Sequence, residues 1–81
     1  MIYCRKKQEG DHFAINDYGH DVNDLTGEVC FSVKGSKLRT DIIKQPEMDS
    51  LGEYGVSKVA YKYMNTMLNG VFPDKMAYER G

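Results

Sequence analysis

The side chains that could do chemistry fall into two stretches of opposite charge. Residues 11–28 contain five acids and no lysine or arginine, whereas residues 29–44 carry four cations and one acid. In the acidic stretch, Asp17, Asp21, Asn23, Asp24 and Glu28 offer oxygen atoms to a hard cation. A calcium loop needs ligands at alternating positions, a glycine at its sharp bend and a bidentate acid at its end. Here Leu25 takes the third alternating position after Asp21 and Asn23, and the glycine comes too late, at Gly27. The expectation is a solvated, turn-forming loop with no metal and no cofactor.

His12 and His20 flank or enter this loop. General-base catalysis needs a histidine within hydrogen-bond reach of a nucleophile, with an acid to orient it. Ser32, Ser36 and Cys30 are available nucleophiles, but no spacing brings one to a histidine. There is no nucleophile elbow, no H-E-x-x-H and no phosphate-cradling glycine loop. No catalytic residue is expected, and the chain reads as a non-enzyme. Cys4 and Cys30 lack the second ligand that C-x-x-C spacing would supply, so they suggest two thiols buried on strands rather than a zinc site. A disulfide would require their strands to be neighbours.

Two binding surfaces can be drawn from the remaining residues. Arg5, Lys6 and Lys7, together with Lys34, Lys37 and Arg39, could form a phosphate-binding patch with Tyr3 as a stacking partner. The competing account is that these cations guard strand edges and turns. The second surface is aromatic. Of six tyrosines, Tyr54, Tyr61 and Tyr18 are expected on surfaces the core does not claim, with Met64 and Leu68 widening the apolar area beside Tyr61. Tyrosine suits interfaces because it combines a large apolar body with a polar tip and few rotatable bonds.

These side chains must be positioned by a small number of elements. The most periodic stretch is Val56–Gly70, VSKVAYKYMNTMLNG. At helical spacing Val56, Ala60, Tyr63 and Met67 share one line, with Val59 and Met64 on its flanks and Lys58, Lys62, Asn65 and Asn69 opposite. Asn69-Gly70 is a helix stop, since both residues tolerate the left-handed conformation. Gly52 and Gly55 each cost a helix roughly 1 kcal/mol relative to Ala, which puts the start near Tyr54–Val56. Ser50 and Glu53 have capping-box spacing, but the phase breaks there, so residues 50–53 read as a separate turn.

Upstream, alternation marks a strand over 2–7, a turn at Gln8–Asp11, and a second strand over 12–16 with Phe13 and Ile15 facing the core. Residues 17–27 read as a long loop. Val29, Phe31 and Val33 define the clearest strand, Gly35-Ser36 fits a type II′ turn, and 37–43 returns as a strand with Leu38, Thr40 and Ile42 on one face. After the helix, Val71 and Phe72 are expected to be buried, Pro73-Asp74 to begin a helical turn, and the last residues to fray.

The fold class that follows is α+β: one domain over 1–81, with a small antiparallel sheet of three to four strands and one C-terminal amphipathic helix packed on a face. At 81 residues the chain is near the lower limit for a self-sufficient core. Its net charge of −1 gives no global field towards nucleic acid or membrane. No apolar run approaches the ~20 residues needed to span a bilayer. The N-terminal charges follow a very short apolar start, the reverse of a secretory signal, so a cytoplasmic protein is expected. The leading expectation is a small soluble module that binds another protein. A short frame without a catalytic motif is also what a phage or mobile element uses to inhibit a host defence complex. The alternatives are a nucleic-acid-binding module and a homodimeric accessory protein.

Overall fold

The computed structural model describes residues 1–47 and 52–79, with residues 52–54 described by their backbone alone. Among these residues there are five strands: β1 (Ile2–Glu9), β2 (Phe13–Gly19), β3 (Gly27–Lys34), β4 (Lys37–Lys44) and β5 (Lys75–Tyr78). Two short helices, α1 (Gly52–Lys62) and α2 (Met64–Leu68), lie between β4 and β5. All pairings are antiparallel, in the order β4-β3-β2-β1-β5. The first four strands form a meander, and the chain then crosses one face of the sheet as α1 and α2 before β5 pairs with β1. No described helix is long and apolar enough to cross a membrane.

Local chemistry accounts for the best-marked features. Gly35 has φ 62° and Ser36 has no positive φ, as a two-residue type II′ turn requires. The end of α2 closes in the same way. Gly70 sits at φ 89°, the Val71 N–H donates to the Thr66 carbonyl at 3.2 Å, and the Gly70 N–H donates to that of Met67 at 2.9 Å. This Schellman arrangement satisfies carbonyls that the helix end would otherwise strand.

The core lies between the helices and one sheet face. Val56, Val59, Ala60 and Met67 from the helices meet Ile2 and Cys4 of β1, Ala14 and Tyr18 of β2, Val29 and Phe31 of β3, and Met76 of β5. Val33, Leu38, Ile42 and Tyr63 close its margins. On β2 this reverses the expected orientation: Phe13 and Ile15 lie on the open face and Ala14, Asn16 and Tyr18 on the core face. Register imposes the reversal. Ala14 is opposite Phe31, Asn16 opposite Val29 and Tyr18 opposite Gly27, and residues directly opposite share a face. Asn16 is thereby buried to 1 % exposure, and neither amide atom finds a hydrogen-bond partner among the described residues.

Four further expectations are corrected. The sheet has a fifth strand where a helical turn was expected after Pro73, because β5 pairs with the flank of β1, Ile2 opposite Tyr78 and Cys4 opposite Met76. Phe72 is buried, but its neighbour Val71 is exposed. The helix starts earlier, at Gly52, with Gly55 buried inside it, and it is interrupted at Tyr63. Glu53 therefore belongs to the helix rather than to a separate turn, while Ser50 and Leu51 lie outside the described residues. Finally, the loop expected over 17–27 is shorter, spanning 20–26: β2 runs on to Gly19, and β3 begins at Gly27.

Candidate functional site

The outer side of the helices is the first candidate. Ala60 is 8 % exposed against the sheet, whereas Tyr61, about 100° further round the helix, is 78 % exposed. The interruption at Tyr63 (φ −104°, ψ 11°) does not break the hydrogen-bond ladder. The Tyr63 N–H still donates to the Val59 carbonyl at 3.1 Å, and the Met67 N–H to the Tyr63 carbonyl at 3.0 Å. Met64, exposed, and Leu68, half-buried, therefore follow Tyr61 at three and seven residues, on one helix face. The side chain of Tyr54 lies outside the described residues. Tyr18 is not a surface residue. It is fully buried, its ring occupying the space over Gly27, where an added Cβ would stand 2.7 Å from Tyr18 Cε1 and 2.8 Å from Pro46 Cγ.

The inner turn of the same helix end acts as a clamp. Lys62 Nζ donates to the Ala77 carbonyl at 2.9 Å, and the Ala77 N–H donates to the Tyr63 hydroxyl at 3.4 Å. Both outward backbone groups of Ala77 are thus occupied, and the outer edge of β5 is closed at its centre. Lys62, expected on the solvent side, is drawn to the sheet edge by this bond.

The open sheet face carries a row of charge, Lys75–Arg5–Asp17–Glu28–Lys44, one residue per strand from β5 to β4. Lys7, set in a bulge of β1, reaches across it to Glu28 at 2.5 Å and Asp17 at 3.6 Å. The hydrogen bond to Glu28 is the main reason the Lys7 ammonium titrates above its ordinary value. Arg5 and Lys75 face each other with no ion pair to either among the described residues, an arrangement that is unfavourable between like charges. They border a cavity of about 330 Å³ walled by Tyr3, Val22, Leu25 and Ala77. Such a cleft suits an anionic group on an apolar stem. Sequence reading missed it because Lys75 lies on a strand too short to show periodicity.

The remaining candidates are dispersed. Asp17 and Glu28 lie in strands with their carboxylates paired to Lys7, while Asp21 accepts from the N–H of Asn23 through its carboxylate at 2.9 Å and from that of Asp24 through its carbonyl at 2.8 Å. Among the described residues no three His, Cys, Asp or Glu side chains converge on a metal-sized space. Lys6 points towards the core-side margin, bonded to Glu9 at 2.5 Å, Asp74 at 3.1 Å and the Phe72 carbonyl at 2.9 Å. Arg39 pairs with Asp41 at 3.0 Å on its own strand. Lys34 and Lys37 flank the β3–β4 turn, six residues and roughly 20 Å along β3 from the Arg5 row. By register Arg5, Lys7, Lys34, Lys37 and Arg39 lie on the open face and Lys6 does not, and Lys6, Lys7 and Arg39 are each paired with acids.

The thiols are equally separate. Cys4 is on the core face of β1 and Cys30 on the open face of β3, with β2 between them, and both are free. Burial pushes the Cys4 thiol up to about 12, and burial and then the Asp41 charge raise that of Cys30. Neither is poised as a thiolate. His12 is exposed at the β1–β2 turn, and His20 Nδ1 lies 3.3 Å from the Met1 carbonyl. Comparison with protein-family models, with curated proteins and with solved structures finds no match for this chain.

Proposed function

We propose that this chain is a protein-binding module whose partner meets the outer side of α1 and α2 at Tyr61, Met64 and Leu68. One observation carries this reading: a tyrosine at 78 % exposure follows a core residue on a well-packed helix, with exposed Met64 one turn on. Large aromatic side chains of this kind anchor interfaces because they bury much area at little conformational cost. Methionine beside them adapts to a partner surface. A binding role rather than a catalytic one also accords with two protonated thiols and histidines set at separate turns. Blocking a host defence complex, as a phage-encoded product would, is one use of such a surface. A nucleic-acid role draws less support, since Lys6, Lys7 and Arg39 spend their charge on internal acids.

The test is affinity capture from cells of the protein's own source, with the whole chain as bait. Wild type is expected to retain one protein in near-equimolar amount, and the double variant Tyr61→Ala/Met64→Ala to lose it while melting within about 3 °C of wild type. Arg5→Ala, on the opposite side of the sheet, should still capture it. Equal capture by the folded double variant, or recovery of nucleic acid alone, overturns the proposal.

A further inference from the structure

The two edges of the sheet are finished differently. At the β5 edge, Lys62 and Tyr63 occupy both outward groups of Ala77. At the β4 edge, an eight-residue strand has no such cover among the described residues. The direction of its backbone groups follows from one bond. The Val33 N–H donates to the His12 carbonyl at 2.8 Å, away from β4, so Val33 and its partner Leu38 form a non-hydrogen-bonded pair. The N–H and carbonyl of Leu38 therefore point outward, and with a period of two so do those of Thr40 and Ile42. An open row of donors and acceptors of this length is a template for another strand.

We propose that this row pairs with the same row of a second copy of the chain, antiparallel and centred on Thr40. In that register Thr40 faces Thr40 of the second copy, and Leu38 faces Ile42, so all the outward groups of these residues meet as hydrogen-bonded pairs. Leu38 and Ile42 are the core-face residues of β4, and their pairing carries the apolar layer across the junction. On the open face Arg39 falls opposite Asp41 of the second copy, and each carboxylate then sits between two guanidinium groups. Charge selects the register. Sliding by two residues either way places Arg39 against Arg39 or Asp41 against Asp41, and like charges directly opposite are repulsive. Lys37 and Lys44 do not oppose each other in the centred register. The bulge at Ile43, where Glu28 pairs with Lys44 and Val29 with Ile42, ends the regular row just beyond the paired segment. The second copy thus extends the sheet on the side opposite β5 by a two-fold axis through Thr40.

Sedimentation velocity and light scattering on the whole chain test this. Wild type is expected at twice the 9.2 kDa chain mass in the upper micromolar range. Thr40→Pro removes only an outward N–H, which an edge strand tolerates, and should leave the fold while weakening association by roughly 10- to 100-fold. Arg39→Asp and Asp41→Arg should each be monomeric alone, yet form a one-to-one heterodimer when mixed. The double swap Arg39→Asp/Asp41→Arg should restore the homodimer. A wild type that stays monomeric to millimolar concentration, or a dimer unaffected by Thr40→Pro and the charge reversals, overturns the proposal. Capture of another protein through Tyr61 would be unaffected by Thr40→Pro, so this inference and the proposed function can fail separately.

Discussion

Successive residues of β2 face two different environments. Ala14, Asn16 and Tyr18 point under the helices into a dry layer, while Phe13, Ile15 and Asp17 point to a face that no described helix covers. By composition alone the second set looks at least as apolar as the first. The difference lies in what is opposite. Tyr18 has Gly27 across the strand and fills the volume that glycine leaves. Asp17 has Arg5 and Glu28 beside it and joins a row of charge bridged by Lys7. A side chain's role in this sheet is thus set by its cross-strand neighbour more than by its own hydrophobicity.

The contrast can be broken at its strongest point. Tyr18→Ala should lose about 3–5 kcal/mol of unfolding free energy, as expected for a large buried aromatic. Phe13→Ala, whose ring covers Gly10 from the open side, should lose less than about 2 kcal/mol. Urea denaturation of both variants measures the difference, and equal losses would mean that the two faces are not distinct. A second separation comes from the thiols. The folded Cys4 thiol is raised to about 12, so between the unfolded thiol's value near 9 and that point the unfolded chain releases a proton that the folded chain keeps. The stability associated with the protonated thiol is complete below pH 9 and falls as pH rises, with a slope of about 1.4 kcal/mol per pH unit. Stability curves for wild type and Cys4→Val should therefore diverge from pH 9 upward, with wild type falling faster. Cys30→Val, on the open face, should diverge less.

The smallest effect concerns the polar group on the dry side. Asn16 places an amide in the core without hydrogen-bond partners among the described residues, and such a group costs on the order of 1–3 kcal/mol. Asn16→Leu, similar in volume, should therefore raise stability by about 1 kcal/mol, or at least leave it unchanged. A clear loss would show that the amide is satisfied in solution and that the core side of β2 is less dry than its burial indicates.

Much of this architecture is legible residue by residue, and the legible parts have something in common. The β3 alternation of Val29, Phe31 and Val33, the Gly35-Ser36 turn, the inner line of Val56, Ala60 and Met67, and the stop at Asn69-Gly70 each depend on neighbours within a few positions. Among candidate interface residues, Tyr61, Met64 and Leu68 inherit that legibility from the helix phase. Tyr18 does not. Its neighbours in sequence, Gly19, His20 and Asp21, resemble a loop, and only the partner strand shows that it is core. Likewise KMAY is too short to reveal β5, and Arg5, Lys6 and Lys7 read as one basic cluster until the strand separates their faces and acids from β2, β3 and the segment before β5 claim two of them.

What the sequence alone determined is therefore the local grammar: where the chain turns, which stretches alternate, where the helix closes and which of its sides is apolar. These follow from backbone sterics and from periods of two and 3.6 residues. The tertiary structure decided which face of β2 is buried, that a fifth strand closes one edge while no described residue covers the β4 edge, and which cations remain unpaired among the described residues. Each of those outcomes is an energy of contact between residues far apart in the chain, and a register shift of one residue would have exchanged the two faces of β2.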